Sequence, residues 1–143
     1  MKILVVDDSN AMRALIRRTL RGKRYDDAQI QEASNGREAL EAIRATSPDL
    51  VLANWNMPEI SGIELLETLK HDGVAVSFGF ITSDESESNR ARALAAGACF
   101  VIGKPFTRAD LRRAVNEARG RIEEDSRITH DSPIAAEGKR NSP

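Results

Sequence analysis

Four stretches of this chain end in residues able to share one reaction site. Asp7 and Asp8 close the apolar run Ile3-Leu4-Val5-Val6. Asn54 closes Leu50-Val51-Leu52-Ala53 and is followed by Trp55-Asn56-Met57-Pro58. Thr82 follows Phe80-Ile81, and Lys104-Pro105 follows Cys99-Phe100-Val101-Ile102 and Gly103. Two adjacent carboxylates repel, and a divalent cation relieves the repulsion; hard oxygen ligands with retained waters suit Mg²⁺. Lysine is a mobile point charge that pairs with acids and with phosphoryl oxygens. Thr82 offers a hydroxyl donor. Asn54 offers a carbonyl oxygen without a charge, and an amide is a poor nucleophile. Each residue also has a plain role: an aspartate can cap the first helix, a β-branched threonine can simply end a strand, and a lone lysine is usually solvated. It is their coincidence at strand ends that points to a site.

The elements that carry these tips alternate in type. Short β-branched runs are expected at Ile3–Val6, Ala28–Ala33, Leu50–Ala53, Val76–Ile81 and Cys99–Ile102. Between them lie helical patterns with cap signals. Ser9 precedes Met12, Leu15, Ile16 and Leu20, with Gly22 as the stop. Ser34-Asn35-Gly36 precedes Ala39, Leu40 and Ile43, and Ser47-Pro48 breaks that helix. Ser61-Gly62 opens a helix with Ile63, Leu65, Leu66 and Leu69, closed near Gly73. Ser86 caps a helix with Ala91, Leu94 and Ala95, closed at Gly97. Thr107 caps a last one with Leu111, Ala114, Val115, Ala118 and Ile122. Five strands alternating with five helices predict βαβ units and a parallel sheet covered on both faces. The expected fold is a three-layer α/β sandwich. In such sheets the site lies at the carboxyl ends of the strands, where Asp7, Asp8, Asn54, Thr82 and Lys104 fall.

The acidic pair, the Asn54 tip, Thr82 and Lys104-Pro105 resemble the receiver domain of bacterial response regulators of the chemotaxis type. The resemblance covers residues 2 to about 122 and implies the flavodoxin-like doubly wound (βα)5 fold with strand order 2-1-3-4-5. It implies that position 54 is the phospho-acceptor, an aspartate in the family, which takes a phosphoryl group from a histidine kinase or phosphotransfer protein. Asn54 cannot form an acyl phosphate. The chain then reads as a two-component receiver that cannot be phosphorylated, or alternatively as a native pseudo-receiver that works as a phosphorylation-independent interaction module. The intact remainder of the pocket favours a deliberate or recent replacement of an aspartate over an old pseudo-receiver. The resemblance further implies a metal set of Asp7 through water, Asp8 directly, Asn56 through its carbonyl and Asn54 beside it, with Mg²⁺ weakened by the missing charge. It implies a cis Lys104–Pro105 bond, an anchoring role for Phe106, and a downstream protein target on the face of the fourth helix, fifth strand and fifth helix. It implies a signalling role rather than an enzyme's. The family's aromatic switch position falls on Val101, beside Phe100, and departs from the common pattern.

The bulk properties narrow the rest. The chain has 143 residues, 41% hydrophobic and 30% charged, with a formal net charge of -1, so no global field favours nucleic acid. One cysteine excludes an internal disulfide and fits a reducing compartment. Two distant histidines make zinc a poor expectation. No apolar run reaches membrane-spanning length, and a strand starting at Lys2 leaves no room for a leader, so a cytoplasmic protein without nucleic-acid or membrane partners is expected. Arg13, Arg17, Arg18, Arg21, Lys23 and Arg24 make a basic face that is either solvated or a kinase docking surface. Trp55 is expected either half exposed beside the pocket or, equally, as a packing residue, and Gly62 is expected to allow a sharp turn. Residues 1–124 form the expected receiver domain. Residues 125–143 lack an apolar period and are expected to be a disordered tail or the start of a linker.

A flavodoxin-like electron carrier would want a glycine- and hydroxyl-rich phosphate loop where Asp7-Asp8 stands. An Asp-nucleophile phosphatase would want an acid two residues after its nucleophile, and Asn10 breaks that spacing from Asp8.

Overall fold

In the computed structural model, which describes residues 1–21 and 29–131, five parallel strands form one sheet in the order β2-β1-β3-β4-β5. The elements are β1 (Lys2–Val6), α1 (Asn10–Leu20), β2 (Gln29–Ala33), α2 (Gly36–Thr46), β3 (Leu50–Asn54), α3 (Gly62–His71), β4 (Ser77–Thr82), α4 (Glu87–Ala95), β5 (Phe100–Gly103) and α5 (Arg108–Asp131). Order and alternation are those expected. Gly22, Lys23, Arg24 and Ala28, to which the sequence pattern assigns a helix stop, part of a basic face and a strand start, lie outside the described residues, as do 132–143.

Strand side chains alternate between the two faces of the sheet. Leu4, Val6, Val51, Ala53, Phe78, Phe80 and Val101 pack with Ala39, Ile43, Ile63, Leu65, Leu69 and Ala93 of α2, α3 and α4. Ile3, Val5, Leu50, Leu52 and Ile81 pack with Ile16, Leu20, Leu111, Val115 and Ala118 of α1 and α5. Because both faces are covered, β1, β3, β4 and β5 read as near-continuous apolar runs, while the edge strand β2 keeps Gln29, Gln31 and Glu32.

Caps set where the helices begin. The Ser9, Asn35, Ser61 and Ser86 side chains accept from the backbone N–H of Met12, Glu38, Glu64 and Asn89, each satisfying one donor of the first turn. Thr107 Oγ1 likewise accepts from Asp110 N–H at 3.0 Å. At the other end of α1, Arg112 of α5 donates from Nε to the Thr19 carbonyl at 3.1 Å and from Nη2 to the Arg21 carbonyl at 2.7 Å. A cation on these carbonyls also suits the negative end of the helix dipole.

Three expectations are corrected. The α4 stripe of Ala91, Leu94 and Ala95 is exposed, Leu94 at 49%, and Ala93 is the residue α4 buries. Leu15 also faces solvent. The backbone of α5 runs on as helix to Asp131, past residue 124, where the loss of apolar period predicts an end.

Candidate functional site

The C-terminal edge of the sheet gathers the polar tips. Asp7 and Asp8 follow β1, Asn54 ends β3, Thr82 ends β4, Lys104 follows β5, and Asn56 lies in the β3–α3 loop. Parallel pairing of β1 with β3, β3 with β4, and β4 with β5 brings these ends side by side.

Asp7 is the buried acid, 1% exposed. A carboxylate in that position needs partners, and it has them. Lys104 Nζ donates to Asp7 Oδ2 at 3.1 Å, and the Ser9 backbone N–H donates to Oδ1 at 2.9 Å. Asp8 beside it is exposed. The Lys104–Pro105 peptide is cis, and Phe106 packs against the α1/α5 side of the core. The Lys104 N–H donates to the Thr82 carbonyl at 2.7 Å. Thr82 is fully buried, and its Oγ1 accepts from Asp84 N–H at 3.0 Å, which ties the hydroxyl to the β4–α4 segment.

Asn54 turns its amide nitrogen inward along the loop. Nδ2 donates to the Asn56 carbonyl at 2.8 Å. Only the nitrogen end of the amide can make this bond, because two oxygens at that distance repel. The loop carbonyl that the resemblance assigns to a cation therefore already accepts a bond from this chain. The backbone carbonyl of Asn54 meets the start of α3: a Cβ on Gly62 would stand 2.3 Å from it. Gly62 is thus required by close approach of two backbones, and not by the sharp turn its sequence context suggests. The loop's positive φ belongs to Glu59, at 68°.

The first turn of α3 is fastened by a capping box. Glu64 N–H donates to Ser61 Oγ, and Ser61 N–H donates to Glu64 Oε1 at 2.9 Å. The Ser61 backbone N–H, and then its hydroxyl, hold the Glu64 carboxyl below its ordinary value by favouring the charged form.

Trp55 is 7% exposed, with its ring 4.9 Å from that of Phe80; of its two expected roles, packing residue and half-exposed neighbour of the pocket, it takes the first. Val101 is likewise buried, at 5%. The basic face of α1 is partly consumed at home. Arg13 Nε and Arg17 Nε bond Glu32 of β2 at 3.0 and 3.1 Å. Arg13 also donates to the Asp7 carbonyl and to Asn10 Oδ1. Glu32 carries no local signal of this role; it is a single acid on an edge strand, and its partners lie 15 and 19 positions earlier. Among the described residues no group of three or more His, Cys, Asp or Glu side chains stands close enough to hold a metal. The oxygens that suit a hard cation are the two aspartate carboxylates, with a loop carbonyl.

Comparison with known proteins decides the family. The family model for the response regulator receiver domain matches residues 3–116. The chain belongs to the response regulator receiver domain family. As a receiver it is 37% identical over 123 residues to the chemotaxis protein CheY1 of Helicobacter pylori, covering 84% of this chain and 98% of that protein. It is 36% identical over 110 residues to the response regulator MprA of Mycolicibacterium vanbaalenii, covering 77% of this chain and 46% of that longer protein. Among solved structures it is similar to the CheY-like receiver protein of Methanospirillum hungatei, with a TM-score of 0.77 at 27% identity over 87% of this chain and 97% of that one. It is also similar to CheY4 of Vibrio cholerae, with a TM-score of 0.73 at 25% identity over 82% and 97%. The chain is therefore a CheY-like receiver domain of two-component signalling. Receiver domains generally bind Mg²⁺ and interact with histidine kinases and downstream targets. Among the described residues no helix is long and apolar enough to cross a membrane.

Proposed function

We propose that this receiver carries Asn54 at the phospho-acceptor position and is not phosphorylated there. The observation that carries this reading is the Asn54 side chain: an amide at the end of β3, its nitrogen bonded to the Asn56 carbonyl, at the strand edge where Asp7 follows the neighbouring strand β1 and is bonded by Lys104 from the end of β5. With an aspartate at 54, a carboxylate oxygen would attack the phosphorus of the donor's phosphohistidine in line, an acyl phosphate forming as the P–N bond breaks and the imidazole leaves, and the charge spread over the transferring oxygens would be stabilised electrostatically. Lys104 is the cation this chain supplies for that purpose, and Thr82 is the hydroxyl donor. Asp7, Asp8 and the Asn56 carbonyl would hold Mg²⁺, which when bound neutralises further charge on the phosphoryl oxygens. With Asn54 the acid count falls from three to two, which weakens oxygen-site affinity, and the Asn56 carbonyl already shares its electron density with the Asn54 amide. Binding to a histidine kinase or phosphotransfer protein, and to a downstream target over α4, β5 and α5, belongs to the same reading.

The Asn54–Asn56 bond also favours a second reading. A loop closed by its own side chain suits an interaction module governed by protein contacts alone. One substitution separates the two. If Asn54→Asp takes label from acetyl phosphate with Mg²⁺, the chemistry is latent and only the acceptor is missing. If it does not, the module reading stands.

A further inference from the structure

Between the β4–α4 segment and α5 lies an open groove of about 410 Å³, floored by β5 from Phe100 to Gly103. Its walls are acidic. Glu85, Asp110 and Glu117 line it directly, and Asp84 and Glu87 are exposed in the chain on either side of Glu85. The cations of the same face are already engaged. Arg90 Nη2 donates to Glu85 Oε2 at 2.8 Å and to the Val101 carbonyl at 3.1 Å. Glu85 itself is seated against Gly103, where a Cβ would stand 2.5 Å from Glu85 Oε1. Arg113 lies 3.6 Å from Asp110, and Lys104 is turned to Asp7 in the pocket. Arg92 faces Glu67 of α3. Arg112 reaches the end of α1, and Arg108, one turn before it, shares that side of α5. Arg121 and Glu124 follow along α5 and cancel in charge. Among the described residues, the carboxylates of Asp84, Glu87 and Glu117 are left without a cation.

The same face carries apolar surface. Leu94 stands one turn after Arg90 on the same stripe of α4 and is 49% exposed. Ala91 and Ala95 beside it are exposed as well, and Ala114 lines the groove from α5. An exposed leucine alone needs no explanation. Beside a groove with uncancelled carboxylates it completes the pattern of an interface, an apolar centre with a charged rim. A surface bearing phosphates, whether nucleic acid or lipid, would be repelled by these acids. A helix with one apolar and one cationic side satisfies both features.

We propose that the groove between the β4–α4 segment and α5 receives a basic amphipathic segment of a protein partner, whose arginine or lysine side chains meet Glu117 and Glu87 and whose apolar side meets Leu94 and Ala114. That the segment belongs to the downstream target rests on the receiver reading above; the sign of its charge does not.

The test pans a display library of short random peptides on the full chain as given and measures the selected peptides, synthesised singly, by fluorescence anisotropy. They should carry an excess of arginine or lysine with leucine or an aromatic beside it. Glu117→Lys and Leu94→Ser should each weaken their binding about ten-fold, and salt at about 1 M should weaken it by screening. Glu41→Lys, at an exposed position of α2, should leave it unchanged. All three substitutions are at exposed positions and should keep the parent's denaturant midpoint. Acidic or uncharged selected peptides overturn the proposal. So does a selection that yields no binder, or binding that Glu117→Lys and Leu94→Ser leave intact. A parent chain that is dimeric by light scattering but monomeric as Glu117→Lys gives the groove to a second copy. Shifts of the Ala114 and Glu117 amide resonances in the chain with Lys139→Glu and Arg140→Glu give it to this chain's own C-terminal residues. Either result overturns the proposal too. A second arm tests the link to the downstream target. The Asn54→Asp chain treated with acetyl phosphate and Mg²⁺ should bind the peptides several-fold tighter. If it takes the phosphoryl group and binds them no tighter, the segment is not the downstream target's. If it takes none, the receiver reading falls, while the first arm still decides the groove.

Discussion

Asn54 donates its amide hydrogen to the backbone carbonyl of Asn56 at 2.8 Å, so the tip of β3 and the loop after it are joined by an uncharged side chain. Asn54→Asp turns this attraction into a repulsion between two oxygens. Without Mg²⁺ the substituted chain should lose about 1 kcal/mol, the usual net value of one such bond. With Mg²⁺ its melting temperature should rise more than that of the parent, because a cation that binds the folded state stabilises it by mass action. Thermal unfolding of both chains with and without Mg²⁺ reads this; equal Mg²⁺ shifts would remove residue 54 from the cation's surroundings.

Gly62 is held by space. Gly62→Ala places a methyl against the Asn54 backbone carbonyl, at 2.3 Å before any movement, and backbone cannot step aside as a side chain can. Overpacking of this kind costs about 3 kcal/mol, and urea unfolding should show a midpoint lowered by that energy divided by the m-value. A shift near zero would mean that α3 and the tip of β3 are not packed together as described.

Arg112 joins α5 to the end of α1 through two carbonyls, at 3.1 and 2.7 Å. Arg112→Ala should destabilise the domain by about 2 kcal/mol, the range for hydrogen bonds from a charged donor. Arg112→Lys should recover only part of this, since a single ammonium cannot reproduce the planar fork. Full rescue by lysine in denaturant titrations would show that charge alone does the capping.

Glu64 sets a pH dependence at the entrance to α3. Its carboxyl is held below the ordinary value by the Ser61 N–H and hydroxyl, so the unfolded chain binds its proton more readily than the folded one. The resulting stability is present above the unfolded carboxylate value and is lost as pH falls through the folded one. Glu64→Gln should flatten the acid side of the stability curve there, and a carbon-detected NMR titration should place the Glu64 midpoint below that of an unstructured glutamate. A midpoint at the ordinary value would contradict the capping box.

How far the chain could be read in advance follows from which contacts are local. The apolar runs Ile3–Val6 and Leu50–Ala53 and the caps Ser9, Ser61, Ser86 and Thr107 are signals a few residues wide, and the fold they predict is the one observed. The tips at Asp7, Asn54, Thr82 and Lys104 were legible because parallel strands end on one edge. Trp55 was legible only as a choice between two roles, because its burial depends on Phe80 from another strand, while Asn54 and Asn56 beside it in the chain are polar. Gly62 and Gly103 carry no local mark of the Asn54 carbonyl or the Glu85 carboxylate that they accommodate. The run of α5 to Asp131 escaped for the opposite reason: a helix that leaves the core needs no apolar period to continue.

Intact-mass spectrometry tests most directly whether an amide occupies the acceptor position. The chain as given and its Asn54→Asp form are incubated with acetyl phosphate and Mg²⁺, after a mass check that excludes deamidation of the starting material. The Asn54 chain should keep its mass, and the Asn54→Asp chain should gain one acid-labile phosphoryl unit. A phosphoryl unit on the Asn54 chain under those conditions, or none on the Asn54→Asp chain, would contradict it.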